Sequence, residues 1–398
     1  MNDLTFSPFD SAVTHTMFPE LRTMRERCPV VPTTEGYWYI ARYDDNQRMF
    51  KDARSWANAG GWRESWVEMP VEDRFLGELD PPRHRDLRRP MIEALSPNAA
   101  SEAEAFAERY VRERFAGLVA AGGGDLVDAF TLPAPIAVTA HILGVPEAHI
   151  EQVGRWCFEL IHSTWPATNA TERGAGIAGA FPEFAEFLDA EIARRHQPDR
   201  PDDLMSRMLY REDGERRMTD WDTRTQSAGL LAASTAATAL FGNLLYRLLT
   251  DPEFDSLLRG DRSLIAGAVE ESLRLEPPVM LLFRTATRPA EVAGCPIAAG
   301  DRIVLGIASA NRDAAVYGDD AETYDPRRAT DVEHLSFGVG PHTCPGKNIA
   351  RMAARVALEV YFDMFAPGRM RLADDFEFEF VPMFLEYGPA HLAVVVTP

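Results

Sequence analysis

Residues 334–351 read H-L-S-F-G-V-G-P-H-T-C-P-G-K-N-I-A-R and place one cysteine, Cys344, in a glycine-rich turn. The glycines permit tight turns and let the backbone come close to a flat ligand. Beyond Cys344 the apolar residues recur with helical spacing, which predicts a helix that begins just after the cysteine. The N–H groups and dipole of a helix N-terminus favour a thiolate, which is a good metal ligand. His342 and Arg351 add cations that suit an anionic cofactor.

The composition is that of a globular protein without a disulfide framework. Of 398 residues 46% are hydrophobic, and 41 basic against 61 acidic residues give a formal net charge of −20. The acidic balance argues against nucleic-acid binding, which needs a basic surface. The four cysteines include no C-x-x-C pair, so we expect no structural zinc and a reducing, cytoplasmic location. We interpret the other three as free buried thiols: Cys28, Cys157 and Cys295.

No membrane association is expected. The N-terminal residues lack the basic and apolar regions of a signal peptide. Residues 225–246 carry no formal charge and are long enough to cross a bilayer. Their polar side chains and many small alanines instead favour a helix buried inside the protein, capped by Thr219 or Asp220.

Helical patterns dominate the chain. Residues 99–121 show the helical period and stop at the glycines of residues 122–124, and the pattern stays mostly helical to about residue 270. A Pro- and Asp-rich break at residues 196–203 is typical of a surface loop. Strand-like runs occur at residues 37–42, 302–307 and 391–396. The sequence therefore predicts a mainly α protein with small β-sheets, in which residues 1–398 form a single domain.

The cysteine segment resembles the haem-binding loop F-G-x-G-x-H-x-C-x-G of the cytochrome P-450 family. Every fixed position matches: Phe337, Gly338, Gly340, His342, Cys344 and Gly346. The resemblance implies the cytochrome P-450 fold, with haem b (iron protoporphyrin IX) between the long central helix and the helix after the cysteine. By resemblance Cys344 is the axial thiolate ligand of the iron, Phe337 packs beside the sulfur, and His342 reaches a haem propionate.

Further motifs occur in the family's order. Glu271-Ser-Leu-Arg274 matches the E-x-x-R helix, and the segment ending at Arg328 resembles F-x-P-x-R with Tyr324 for Phe. The resemblance gives Glu271, Arg274 and Arg328 the role of a structural triad around the cysteine loop.

Three more cations resemble the family's propionate-binding residues. Residues 80–88, D-P-P-R-H-R-D-L-R, resemble D-P-P-x-H-x-x-x-R. His84 and Arg88 lie four residues apart on one predicted helix, so both can hold one anionic group. Arg284 stands where the family has another such arginine. Taken singly, each of these residues is more often a surface cation.

The central helix departs from the family's A-G-x-D/E-T pattern, whose acid and alcohol relay protons for O2 activation. Aligned on Gly242-Asn243, Thr235 replaces the acid and Ala236 replaces the alcohol; a shift by one residue puts Ser234 and Thr235 in those roles. No Asp or Glu lies between residues 222 and 251. Protons must then come from ordered water, a polar group of the substrate, Ser234, Thr235 or Thr238. Simple divergence, with water in place of the acid, is the plain alternative.

The resemblance implies a monooxygenase that hydroxylates or epoxidises a mainly hydrophobic small molecule. The atypical proton-relay helix leaves two alternatives: oxidative coupling or another non-hydroxylating reaction, and a haem-thiolate protein that binds a ligand without turnover. The candidate pocket residues are nearly all apolar: Ala232, Ala233, Ala236, Met280, Leu281, Leu282, Phe384 and Leu385, with Trp62, Trp66 and Phe75 as a further cap.

Electrons are expected from NAD(P)H through a ferredoxin and ferredoxin reductase or a similar carrier, because no flavin or iron–sulfur segment is present. Five basic residues flank the segments that hold the haem and predict a docking face for an acidic carrier: Arg83, Arg85, Arg89, Lys347 and Arg355. An ordinary solvated face is the alternative interpretation of this group.

Overall fold

The computed structural model describes residues 6–58, 70–95, 97–164, 176–328, 331–383 and 385–397. Helices make up most of this part of the chain. The α-helices are α1 (Ser11–Thr14), α2 (Phe18–Arg27), α3 (Tyr43–Lys51), α4 (Arg83–Ala94), α5 (Pro97–Ala121), α6 (Pro133–Leu143), α7 (Ile150–Thr164), α8 (Gly176–Ala180), α9 (Pro182–Arg194), α10 (Leu204–Leu209), α11 (Asp220–Ala233), α12 (Ala237–Thr250), α13 (Pro252–Gly260), α14 (Ile265–Leu275), α15 (Ile307–Ala310), α16 (Ala314–Tyr317) and α17 (Lys347–Met364).

The strands are short and form three sheets. They are β1 (Val30–Pro32), β2 (Trp38–Ile40), β3 (Trp56–Ala57), β4 (Gly123–Asp125), β5 (Leu282–Ala286), β6 (Ala290–Val292), β7 (Cys295–Ile297), β8 (Arg302–Leu305), β9 (Met370–Leu372) and β10 (Ala393–Val396). The largest sheet has the order β1-β2-β8-β5-β3, and only its β2–β8 pair is parallel. The others are β4-β10-β9 and the hairpin β6-β7.

The central helix runs from Asp220 to Thr250 and is interrupted once. The side chain of Thr219 caps its first turn by accepting from the Asp222 N–H. Between α11 and α12 the residues Ser234–Ala236 form a tighter 3₁₀ turn. This is the one described helix that is long and apolar enough to cross a membrane, and 61% of its most apolar window is buried inside the protein. Its burial explains its apolar composition as that of a core helix.

Two hydrophobic clusters surround the cysteine segment. The larger one joins the helices, and α17 packs its apolar face along α5 within it. The smaller one fills the space between the five-stranded sheet and the helices α3 and α15. The cysteine loop lies between the two clusters, so rigid packing supports it from both sides.

The predicted mainly α architecture with small sheets is confirmed. The helix over residues 99–121 and the strands near residues 38, 302 and 393 appear with ends shifted by at most two residues. The glycines of residues 122–124 do end α5, but Gly123 also begins β4, which the sequence pattern did not predict. Gly123 has a φ of 138°, and a Cβ there would collide with the carbonyl of Val394, so the pairing with β10 requires glycine.

Candidate functional site

The loop that carries Cys344 is held by its own backbone and by α3. The Cys344 N–H donates to the Phe337 carbonyl over 2.7 Å. Gly338 and Gly340 have φ values of 61° and 80°, which favour glycine. A Cβ on Gly340 would lie 2.9 Å from the Phe50 carbonyl oxygen, so only glycine lets the loop pack this closely against α3.

The Cys344 thiol lies just before the N-terminus of α17, whose N-cap is Gly346. It opens on a large internal cavity that Phe337 and Gly346 also line. Burial raises the pKa of this thiol, whereas the Gly346 backbone and the charges of Arg88, Lys347 and Arg351 act to lower it. A metal cation at the sulfur would supply the charge that keeps the thiolate form.

The cavity is lined by four basic side chains from three elements: His84 and Arg88 on α4, Arg284 on β5, and His342 in the cysteine loop. The centres of the His84 and His342 rings lie 3.9 Å apart. Arg88 donates to the Thr343 carbonyl, and Arg284 donates to the Phe283 carbonyl over 2.7 Å. The structure thus brings together all four propionate-binding residues predicted from the resemblance.

Most of this cluster lacks an anionic partner. In the described part of the chain neither Arg88 nor Arg284 forms an ion pair, although the charge of Asp80 acts on Arg284, and the Nε2 atoms of His84 and His342 are enclosed without a hydrogen-bond partner. Burial, followed by the charge of Arg88, lowers the pKa of His84 to about 4. Burial and the neighbouring cations lower the pKa of His342 to about 2. Such a cluster fits the two carboxylates of haem, which would satisfy these groups.

A buried cluster of ion pairs contacts the segment that leads to the cysteine loop. Glu271 accepts from Arg274 Nε over 2.6 Å and Nη2 over 2.8 Å, and from Arg328 Nε over 3.2 Å. Arg274 also donates to the carbonyls of Asn311 and Thr323. The Asn311 side chain in turn accepts from the Leu335 N–H at the start of the loop. The triad therefore ties α14 to the segment that leads to Cys344.

Arg351 has a different role from the cofactor contact that we expected. Its guanidinium donates to Glu270 over 2.6 Å and 2.8 Å, and its cationic centre lies 4.7 Å from the centre of the Phe337 ring. Glu270 also interacts with His334 Nε2. Burial raises the pKa of Glu270, but the bonds from His334 and Arg351 outweigh this and lower it to about 2. Arg351 therefore forms an ion pair with Glu270 and packs on Phe337, which stabilises the loop.

The 3₁₀ turn of the central helix also lines the cavity, through Ser234, Thr235 and Ala236. The Ser234 hydroxyl donates to the Leu231 carbonyl over 2.6 Å, and the Thr235 hydroxyl donates to the Ala232 carbonyl over 2.8 Å. Each hydroxyl oxygen keeps acceptor capacity toward the cavity. Thr238 does not line the cavity, and its hydroxyl is enclosed without a partner in the described chain. The structure thus separates Thr238 from the other relay candidates.

Most of the predicted pocket residues do line the cavity: Ala232, Ala233, Ala236, Leu282, Leu385 and Phe75. Met280 and Leu281 do not; at that turn the lining residues are Pro278 and Val279. The reason is the backbone: the Met280 N–H donates to Leu385, and its carbonyl accepts from Ala308, which holds Met280 in the protein interior. Phe384, Trp62 and Trp66 lie outside the described residues.

All five cations of the expected docking face are at least partly exposed. The side chains of Arg85 and Arg89 are 78% and 83% exposed. Lys347 and Arg355 are half-buried and pair with glutamates. Arg83 is half-buried as well and pairs with the buried Asp222 at the start of the central helix, so it also links α4 to that helix.

Sequence reasoning missed Asn58, Glu270 and Glu386. The Asn58 amide lies 3.2 Å from His342 Nδ1, and nothing in the sequence linked two residues so far apart. Glu270 directly precedes the E-x-x-R motif, but only the fold shows its contact with Arg351. Glu386 directly follows the predicted pocket residues and also lines the cavity; its position in sequence was the available signal.

A cysteine at the start of a helix, a cationic cluster that matches two carboxylates, and an apolar cavity between that cysteine and a central helix define a haem-thiolate protein. Comparisons with known proteins agree. A family model described as "Cytochrome P450" matches residues 168–367. The chain is 33% identical to erythromycin C-12 hydroxylase of Saccharopolyspora erythraea, over 90% of this chain and 88% of that protein.

Two further relatives support the same assignment. Cyclomarin C epoxidase CymV of Salinispora arenicola is 30% identical over 87% of this chain and 88% of its own length. The solved structure of a mutant of P450 EryK in complex with erythromycin B shares 32% identity, covers 98% of both chains and superposes with a TM-score of 0.83. The chain belongs to the cytochrome P450 family and is a cytochrome P450 monooxygenase with haem b as its cofactor.

Proposed function

We propose that this monooxygenase hydroxylates or epoxidises a mainly hydrophobic small molecule, with O2 and with electrons from a separate ferredoxin-type carrier. It acts in the cytoplasm as a single domain. The observation that carries the proposal is one cavity that joins Cys344, the cationic cluster, the hydroxyls of the central helix and a wall of apolar side chains. The relatives named as a hydroxylase and an epoxidase support these two reaction types.

The residues of the site divide into three roles. Cys344 would ligate the haem iron, and His84, Arg88, Arg284 and His342 would bind its propionates. Haem with a thiolate ligand supplies the activation of O2. The apolar walls exclude water and orient the substrate by shape. The hydroxyls of Ser234 and Thr235 hold protons at the cavity surface, in a helix that has no carboxylate at this turn.

A carrier would dock where the exposed cations lie. Arg85 and Arg89 on α4 carry their charge into solvent, and Lys347 begins the helix that follows Cys344. An acidic ferredoxin suits such a surface, because opposite charges steer two proteins into contact. Lys347 is partly neutralised by Glu333, Arg355 by Glu104 and Glu359, and Arg89 by the exposed Glu93.

The proposed function is tested by a screen of a hydrophobic compound library for shifts in the haem spectrum, followed by turnover with a surrogate ferredoxin system and product analysis. We expect products that contain one added oxygen atom from O2. Coupled aryl or phenol products would instead support the alternative reaction type. Spectral binding without any product would support a ligand-binding protein.

Replacing Thr235 with alanine is expected to lower the yield of product per NAD(P)H consumed by roughly tenfold. This is less than the full contribution of a positioned acid, because water can replace the lost hydroxyl as a proton donor. The measurement compares oxygenated product with hydrogen peroxide and NAD(P)H consumption. Thr238→Ala is the matched control, because its hydroxyl lies off the cavity. Equal coupling in both variants would contradict a role for Thr235 in proton delivery.

Replacing Arg284 with alanine is expected to weaken haem binding by about 10–100-fold, the usual effect of losing a residue that supports a metal group. Arg284 is 3% exposed, and burial lowers its pKa to about 10, which still leaves it charged at neutral pH. The rate of haem transfer to an apo acceptor protein measures the effect. Arg85→Ala removes an exposed arginine and is expected to leave this rate unchanged. A normal transfer rate in the Arg284 variant would remove this residue from the propionate site.

A further inference from the structure

Glu386 is a buried carboxylic acid in the wall of the substrate cavity. It is 9% exposed and lines the cavity with Val279, which lies directly opposite it in an isolated antiparallel bridge. Side chains of directly opposed residues lie on the same face of the two strands. The Glu386 side chain therefore lies on the face where Val279 meets the cavity.

The carboxyl of Glu386 has no partner in the described protein. Its backbone is satisfied: the N–H donates to the Met383 carbonyl over 3.2 Å, and the carbonyl accepts from His15 Nε2 over 2.7 Å. The carboxyl oxygens form no hydrogen bond or ion pair with any residue that the structure describes, and no neighbouring charge or hydrogen bond acts on the pKa of this group. A buried carboxyl in this state costs folding free energy, so a partner from outside the chain would stabilise it.

The other polar side chains of the cavity wall behave differently. Ser234, Thr235 and Thr139 each donate to a carbonyl of their own helix. Gln226 accepts from the Leu76 N–H and donates to the Arg74 carbonyl. These residues use their hydrogen bonds inside the protein. Apart from Asn58 and the cationic cluster, which also line the cavity, Glu386 therefore differs from them in having an unpartnered polar side chain.

No neighbouring group of the described chain supplies a positive charge to Glu386. Burial is the cause that raises its pKa to about 7, with no cation acting against it. His15, the adjacent ring, is itself desolvated, and burial lowers its pKa, so it stays neutral. Its Nε2 is also occupied by the Glu386 backbone carbonyl.

We propose that Glu386 recognises a basic nitrogen on an otherwise hydrophobic substrate. A protonated amine gives a carboxylate a charge-assisted N–H···O bond, which is roughly twice as strong as a bond between neutral groups. The apolar wall formed by Ala233, Leu282 and Val279 would hold the rest of the molecule. This inference rests on the proposed function, since it names the substrate class of the same cavity, and it implies that neutral analogues bind less tightly and carboxylates are excluded.

The experiment uses equilibrium dialysis of the holoenzyme with two matched probes. One is a tertiary amine on a phenylalkyl tail; the other is its neutral isostere, with an isopropyl group in place of the dimethylamino group. Glu386→Gln keeps the size and hydrogen-bonding capacity of the side chain but removes its charge. Glu379→Gln removes the same charge from an exposed position of the same C-terminal segment and is the matched control.

We expect the wild type to bind the amine more tightly than the isostere, and Glu386→Gln to weaken amine binding by about tenfold or more. The isostere should change by less than about twofold in either variant, which also shows that the cavity remains folded. Equal affinity of the wild type for both probes, an unchanged amine affinity in Glu386→Gln, or the same loss in Glu379→Gln would overturn the inference.

The failure of this inference can be told apart from a failure of the proposed function. The spectrum of the reduced protein with carbon monoxide reports the thiolate-bound haem and does not depend on Glu386. Oxygenation of a neutral substrate with a normal spectrum, but without any preference for the amine, would leave the monooxygenase proposal intact and reject only the role of Glu386.

Discussion

Replacement of Cys344 by serine should abolish the long-wavelength Soret band of the reduced carbon monoxide complex and lower turnover by at least about 100-fold. A loss of about 100-fold is the upper end of the effect of removing a residue that only orients a metal ligand. Removal of the ligand itself should lower turnover further. Serine has nearly the same shape, so the loop should remain folded. What changes is the ligand atom, because a hydroxyl does not give iron the electron density that a thiolate gives.

The geometry makes Cys344 the residue that this spectrum should report. Its thiol opens on the cavity beside Phe337, and the cations Arg88, Lys347 and Arg351 surround it. Cys295→Ser is the matched control, because Cys295 is a partly exposed free thiol in the β6–β7 hairpin. We expect this control to keep the band and the turnover. A Cys344→Ser protein that still shows the long-wavelength band would mean that another residue ligates the iron.

The sequence alone singled out Cys344 and the basic residues that line the same cavity, because the motif residues are closely spaced and their chemistry is specific. His84 and Arg88 lie four residues apart on one helix, a spacing that can be read without the fold. Gly338 and Gly340 have positive φ values in the loop, a conformation that glycine adopts without a steric cost. Local patterns of this kind transfer directly to structure.

The contacts that the sequence did not predict join distant segments. Arg351, expected near the cofactor, pairs with Glu270, and Arg83 of the expected docking face pairs with Asp222. Backbone hydrogen bonds with Leu385 and Ala308 hold Met280 in the protein interior, and both partners come from other parts of the chain. Tertiary packing determines which residues line the cavity and which form ion pairs, and residue spacing in a single sequence does not reveal it.

The substitution Glu271→Gln should cost about 3–5 kcal/mol of unfolding free energy, since it breaks a buried ion pair and leaves a buried guanidinium without its counter-charge. Arg274 is 2% exposed and Glu271 is 4% exposed. The glutamine oxygen could still accept the bonds made at one carboxylate oxygen, but its NH2 group cannot accept the bond made at the other. The remaining carbonyl partners of Arg274, Asn311 and Thr323, cannot offset its charge.

Glu270→Gln is the matched control, one residue away on the same helix. Its carboxylate pairs with Arg351 but is 42% exposed, so solvent screens the pair and we expect a loss of about 1 kcal/mol. Denaturant unfolding of both holoenzymes, followed by circular dichroism and by haem absorbance, gives the two values. Because Asn311 joins Arg274 to the Leu335 N–H, the Glu271 variant should also release haem at lower denaturant concentration. A loss no larger than that of Glu270→Gln would show that the triad does not hold the cysteine loop.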